Sequence, residues 1–131
     1  MEVIMELVAS TPLYSLHIDK TKNRMVVAYK GAWLKPAQVP DFVKHHGEAM
    51  SKLTRGFTVL ADWREMESVF ITDVIEQCQK QSVAAGISKV ARVYSKPTFK
   101  EIQADSMSQR TGIKSKVFYD ITEAEAWLDE G

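Results

Sequence analysis

The sequence holds a single cysteine, Cys78, in 131 residues. One thiol closes no intramolecular disulfide, and it excludes a cysteine-based zinc site. Glycine is sparse as well. The six glycines, at 31, 47, 56, 86, 112 and 131, are too scattered to make a loop that cradles phosphate. No run approaches the ~18 uninterrupted apolar residues that cross a bilayer, so no integral membrane segment is expected. The opening residues Met1-Glu2-Val3-Ile4-Met5-Glu6-Leu7-Val8 place two acids in a short apolar run, with no basic stretch before it. That is unlike a signal peptide, and a cytoplasmic protein is expected. Net charge is also lacking: 17 Lys and Arg face 17 Asp and Glu, for a formal charge of zero. A strongly basic nucleic-acid-binding domain has the opposite balance, so no nucleic-acid partner is expected.

What is present is an ordinary globular composition, 45% hydrophobic and 26% charged. The length suits one domain, residues 1–131, large enough to bury a core without a disulfide or a structural metal. Tyr14, Leu16 and Ile18 alternate with Ser15, His17 and Asp19, the pattern of a half-buried strand. A polar turn, Lys20 to Asn23, leads to the apolar run Met25-Val26-Val27-Ala28-Tyr29, which completes a hairpin that Gly31 is expected to end. Val39, Phe42, Val43, Met50 and Leu53 predict a helix over 40–53, weakened by Gly47. Phe57 to Ala61 reads as a short buried strand that closes on Asp62-Trp63. Ile71, Val74, Ile75, Cys78 and Ala85 trace one helical face over 70–85, and Gly86 stands where a C′ glycine belongs. Val90 to Tyr94 is a further strand, and Thr98 with Glu101 has capping-box spacing for a helix ending near Arg110 and Gly112. A last strand at Val117 to Tyr119 precedes a helix with Ala124, Trp127 and Leu128 inward, opened by a second capping-box spacing at Thr122 and Glu125. The order ββαβαβαβα predicts an α/β fold. Its sheet is mixed, mostly parallel and five-stranded, with about four helices.

In this order, the strand pair ending in Gly31, the run Val59-Leu60-Ala61-Asp62-Trp63-Arg64-Glu65-Met66, the stretch Gly86 to Val93, and Phe118-Tyr119-Asp120 leading into Glu123-Ala124-Glu125-Ala126-Trp127-Leu128 carry a resemblance. From roughly Tyr14 to Leu128 the chain resembles the SpoIIAA-like (STAS/SEC14-type) family, related in fold to bacterial anti-sigma-factor antagonists. The resemblance implies a STAS-like domain. Proteins of the antagonist type carry a phosphorylatable serine in an Asp-Ser-Ser-Gly sequence, where the helix after the central strand begins. A helix start suits phosphate, because free N–H groups and the dipole favour negative charge. The matching stretch here is Phe70-Ile71-Thr72-Asp73, which makes Thr72 the candidate phosphorylation site. Ile71 replaces a serine and Asp73 replaces the glycine, and Asp73 would repel a phosphate on Thr72. The plainer reading is that Thr72 or Ser68 is an N-cap.

Ligands of parallel sheets gather beyond the C-terminal strand ends. Three expected loops meet there: Asp62-Trp63-Arg64, Tyr94-Ser95-Lys96 and Tyr119-Asp120. They offer carboxylates, cations and aromatic rings to a small anionic or amphipathic ligand. Equally, Asp62 and Asp120 can cap helices while Arg64 pairs with one of them and Trp63 packs. His45 and His46 have Asp41 and Glu48 nearby, but adjacent histidines point ~100° apart on a helix, so His46 reads as core and no metal is expected. Cys78 lies on an apolar stripe and reads as a small hydrophobe. Residues 80–116 carry eight Lys or Arg against Glu101 and Asp105, a local excess of +6. The acidic last helix is expected to fold back on it. Trp33, Leu34, Val39, Phe42, Val43 and Met50 can line a cleft for an acyl chain or can fill the core.

These features predict a non-enzymatic binding or regulatory module without catalytic residues or cofactor. It would recognise a protein partner or a hydrophobic or anionic small ligand through Asp62 to Thr72, including Phe70, and through Tyr94 to Lys96. A homodimer through a strand edge or helix face is compatible with the pattern. The alternative is a small enzyme with Asp62 or Asp120 as acid/base and Arg64 binding an anion.

Overall fold

A computed structural model describes residues 5–69, 72–95 and 112–130. Its six strands lie in one sheet in chain order: β1 Glu6–Thr11, β2 Tyr14–Asp19, β3 Arg24–Trp33, β4 Thr58–Val69, β5 Lys89–Val93 and β6 Ser115–Phe118. The first three pair antiparallel, and β3 to β6 pair parallel. The described helices are α1 Phe42–Ser51, α2 Thr72–Ala85 and α3 Ile121–Asp129, with a 3-10 turn at Pro36–Gln38. The α/β, mostly parallel reading therefore holds, and the strand count rises from five to six. The helix expected from Thr98 onward lies outside the described residues.

The additional strand, β1, is an edge strand whose pairing shifts register between Leu7 and Ala9. The shift breaks the alternation of faces, leaving Ala9 buried and Leu7 56% exposed. Gly31 does not end β3. Its φ of +71° bends the strand at a register shift, and β3 continues to the fully buried Trp33. The Trp33 indole N–H donates to the carbonyls of Leu13 and Lys30 at 3.1 Å each. Because β3 continues, β4 continues beside it, pairing Lys30 with Glu65 and Trp33 with Val69. Asp62, Trp63 and Arg64 are consequently strand residues, where the sequence pattern predicts a loop.

Strand alternation divides the core. Tyr14, Leu16, Ile18, Met25, Val27, Val59, Ala61 and Trp63 face α1 and α2, forming the larger cluster with Phe42, Met50, Ile75 and Cys78. Leu60, Ala91, Val93 and Phe118 face α3 and meet Ala124 and Leu128. Trp33, Val39, Phe42 and Met50 are all buried in the larger cluster, so the residues considered for an acyl cleft are used as core, with Leu34 left exposed.

The helix ends show why the elements stop where they do. After α2, Gly86 has φ +91°, its N–H reaches the Val83 carbonyl, and the Ile87 N–H reaches the Ser82 carbonyl. This is a Schellman motif, which needs a residue free of a Cβ penalty at C′. At α3 the cap is Asp120, whose carboxylate accepts from the Thr122 N–H at 2.7 Å, so the helix begins before the Thr122–Glu125 spacing. At its other end Lys89 donates to the carbonyls of Trp127 and Glu130, placing a cation at the negative end of the helix. The acidic helix does fold onto cations, but those that pair with Asp129 are Arg24, at 2.7 Å, and Lys22, at 3.4 Å. Both come from the β2–β3 side. Lys89 is a member of the basic stretch that reaches α3, and it binds carbonyls there.

Candidate functional site

The sheet centre is built from one aromatic stack. Tyr29 of β3, Trp63 of β4 and Tyr94 just after β5 occupy neighbouring strands on the α1/α2 face. Trp63 lies 4.0 Å from Tyr29 and 6.0 Å from Tyr94 between ring centroids, with interplanar angles of 18° and 19°. Trp63 and Tyr94 are buried, so neither side chain is open to a macromolecular partner. Trp63 instead faces a cavity of about 30 Å³ whose wall includes Tyr29, His46, Gln79, Ser82 and Arg92.

The polar lining comes from three elements. His46 lies on the inner face of α1 beside Phe42, with ring centroids 5.8 Å apart. Burial depresses its imidazole to about 4, and the neighbouring Gln81 side chain works weakly in the opposite direction. The ring is neutral at pH 7. Gln79 and Ser82 come from the inner face of α2, where the Ser82 hydroxyl donates to the Cys78 carbonyl at 2.9 Å. Burial pushes the Cys78 thiol up to about 12, which leaves little thiolate for nucleophilic chemistry. Arg92 lies mid-β5, on the same face as Val90 and Tyr94.

On the opposite face of β4, Asp62 and Arg64 form a self-contained pair. Arg64 Nε donates to Asp62 Oδ1 at 2.9 Å and Nη2 to Oδ2 at 2.8 Å, and the Arg64 N–H adds a third bond to Oδ1. Burial alone would raise the Asp62 carboxyl. The hydrogen bonds and charge of Arg64 outweigh it and hold the group below the usual carboxylate range. Arg64 is thus committed to Asp62, and Asp120 is an exposed helix cap. The pair lies at the surface, so Arg64→Gln is expected to cost less than about 1 kcal/mol of stability. It should also raise the Asp62 pKa. Urea denaturation and carboxyl NMR titration check the two effects.

The other candidates separate. His45 is engaged away from the cavity, with its Nδ1 2.7 Å from the Tyr14 hydroxyl. Among the described residues, no three His, Cys, Asp or Glu side chains come together as a metal site. Phe70 and Lys96 lie outside the described residues. Thr72 is the first residue of α2, and the exposed Asp73 follows it.

No family model and no curated protein matches the chain. Solved structures do. An uncharacterized protein of the DUF3478 family, with a SpoIIAA-like fold, from Shewanella loihica PV-4 aligns over 92% of this chain and 97% of its own. Its TM-score is 0.65 at 14% identity. The anti-sigma factor antagonist SpoIIAA in its unphosphorylated form aligns over 95% of this chain and 97% of its own, with a TM-score of 0.55 at 12% identity. The chain has a SpoIIAA-like fold. The SpoIIAA-like fold places the start of α2 directly after the long central strand, with only residues 70 and 71 between them. Among the described residues, no helix is long and apolar enough to cross a membrane.

Sequence reasoning passed over Arg92, Gln79 and Ser82. A signal for Arg92 exists: a charge at the same parity as Val90 and Tyr94 in an apolar strand marks an inward-facing cation. Gln79 and Ser82 give less, since polar residues beside an apolar helical stripe are ordinarily solvated.

Proposed function

We propose that the protein is a non-enzymatic regulatory module that binds a protein partner through the β4–α2 junction. The observation that carries this reading is the alignment with SpoIIAA, an anti-sigma factor antagonist, along nearly the whole of both chains. The local surface supports it. Glu65 and Glu67 on β4 and Asp73 on α2 are exposed, and Arg64 beside them is engaged by Asp62. The junction therefore presents an acidic rim, suited to a partner with a basic face. Phe70, between the two elements in sequence, supplies the apolar anchor that such interfaces use.

Asp73 bears on regulation. A negative charge in the first turn of a helix is favoured by the free N–H groups there. A carboxylate at that place supplies permanently what a phosphate on Thr72 would supply transiently. The junction then works as a constitutive surface, and cytoplasmic partners are the natural class.

The test is capture of the partner by purified full-length protein, with Phe70→Ser and Asp73→Lys as variants. Each is expected to weaken capture about ten-fold or more, as loss of a central contact of ~1.4 kcal/mol or above would. Both variants should remain folded, with Asp73→Lys losing about 0.5–2 kcal/mol because it reverses a favourable charge at a helix start. Equal capture by both folded variants would remove the junction from the interface.

A further inference from the structure

The half-open pocket next to Trp63 is the part of the molecule that the proposed interface leaves unused. Its volume is about 30 Å³, and its wall includes His46, Trp63 and Arg92. Trp63 Nε1 and His46 Nδ1 are both buried and both lack a hydrogen-bond partner. Leaving such atoms unsatisfied is costly in a protein interior, commonly about 1–3 kcal/mol each. An indole N–H is donor only, so it calls for an acceptor. The wall also carries the Arg92 guanidinium, 3% exposed, which makes further contacts of its own. A cation in the wall favours a negatively charged occupant over a neutral one. Among the described residues the lining contains no carboxylate that would repel it. The space suits one or two waters, or an anion of about three heavy atoms.

We propose that this cavity is a binding site for a small monovalent anion of about the size of formate, which accepts from the Trp63 indole N–H and is held by the Arg92 charge. The His46 ring forms the third wall of the site. The inference stands apart from the β4–α2 interface, and either can fail alone.

The chain has three tryptophans, so its amide NMR spectrum contains three indole N–H peaks. The Trp33 indole is already bonded to Leu13 and Lys30 and serves as an internal control. Sodium formate is titrated into full-length protein against sodium sulfate at matched ionic strength. The expected result is a saturable shift of one peak, absent from Trp63→Phe, while the Trp33 peak stays in place. Trp63→Phe should also weaken the formate-induced rise in Tm, with an affinity loss of about ten-fold or more, as expected for a hydrogen bond to a charged group. Should Trp63→Phe not fold, Trp127→Phe and Trp33→Phe assign the remaining peak by elimination. Three peaks that drift together with either salt overturn the proposal. So does a Trp63 peak that ignores formate and shows contact with a long-lived water.

Discussion

Phe42→Ala is expected to lower the free energy of unfolding by about 3–5 kcal/mol. Phe42 opens α1 and is fully buried, with Tyr14 at 4.8 Å, Trp33 at 4.9 Å and Tyr29 at 5.8 Å between ring centroids. The Tyr14 and Trp33 contacts are edge-on, at 77° and 74°, the arrangement that aromatic quadrupoles favour. Truncation leaves a hole walled by rigid rings from β2 and β3, which collapse poorly, so the cavity cost adds to the lost transfer energy. Phe42→Leu keeps most of the volume and should cost under about 1.5 kcal/mol. Urea denaturation followed by tryptophan fluorescence and far-ultraviolet dichroism measures both. A loss below about 1 kcal/mol for Phe42→Ala would mean that α1 is seated by something other than this ring cluster.

The second large effect depends on pH. His46 in the folded protein titrates near 4, against an ordinary histidine value of 6.5, because burial penalises its charged form. Between those values the unfolded chain binds the proton more readily than the folded one. The stability that neutral His46 contributes is therefore complete above pH 6.5 and is lost as pH falls towards 4. The gap corresponds to roughly 3 kcal/mol. Asp62 and Asp129 have depressed carboxyl pKa values, so their contributions are present above about pH 4 and are lost below it. Comparison with His46→Gln isolates the histidine. Between pH 7.5 and 4 the wild type should lose roughly 3 kcal/mol more than the variant. Parallel stability curves would show that His46 is not held neutral by its surroundings.

Much of this architecture is legible in the sequence because it rests on periodicity. The hairpin from Tyr14 to Tyr29, the inner face of α2 and its Gly86 stop follow from alternation, helical spacing and a positive-φ glycine. The inward Ala124 and Leu128 of α3 follow in the same way. β1 is not legible, since an edge strand buries few residues and its register shift scrambles the rest. The extension of β4 to Val69 is obscured by Arg64, Glu65 and Glu67, three charges that read as a loop but lie on exposed positions of a paired strand. The site residues divide along the same line. The sequence offers Arg64 two carboxylates, Asp62 and Asp120, without choosing between them, and the structure pairs it with Asp62, whereas the stacking of Trp63 with Tyr29 and Tyr94 joins three strands, and sequence spacing carries no information about that.

The central claim is that the β4–α2 junction is the surface a protein partner contacts. Site-specific photocrosslinking tests it most directly. In the full-length chain a photoreactive residue replaces Gln77, exposed on α2 one turn beyond Asp73 on the same face, and a second chain carries it at Lys20. Lys20 is exposed beside the β2–β3 turn, at the other end of the sheet. One dominant crosslinked protein is expected from position 77 and none from position 20. No crosslinked protein from position 77, or the same products from both positions, would contradict the claim.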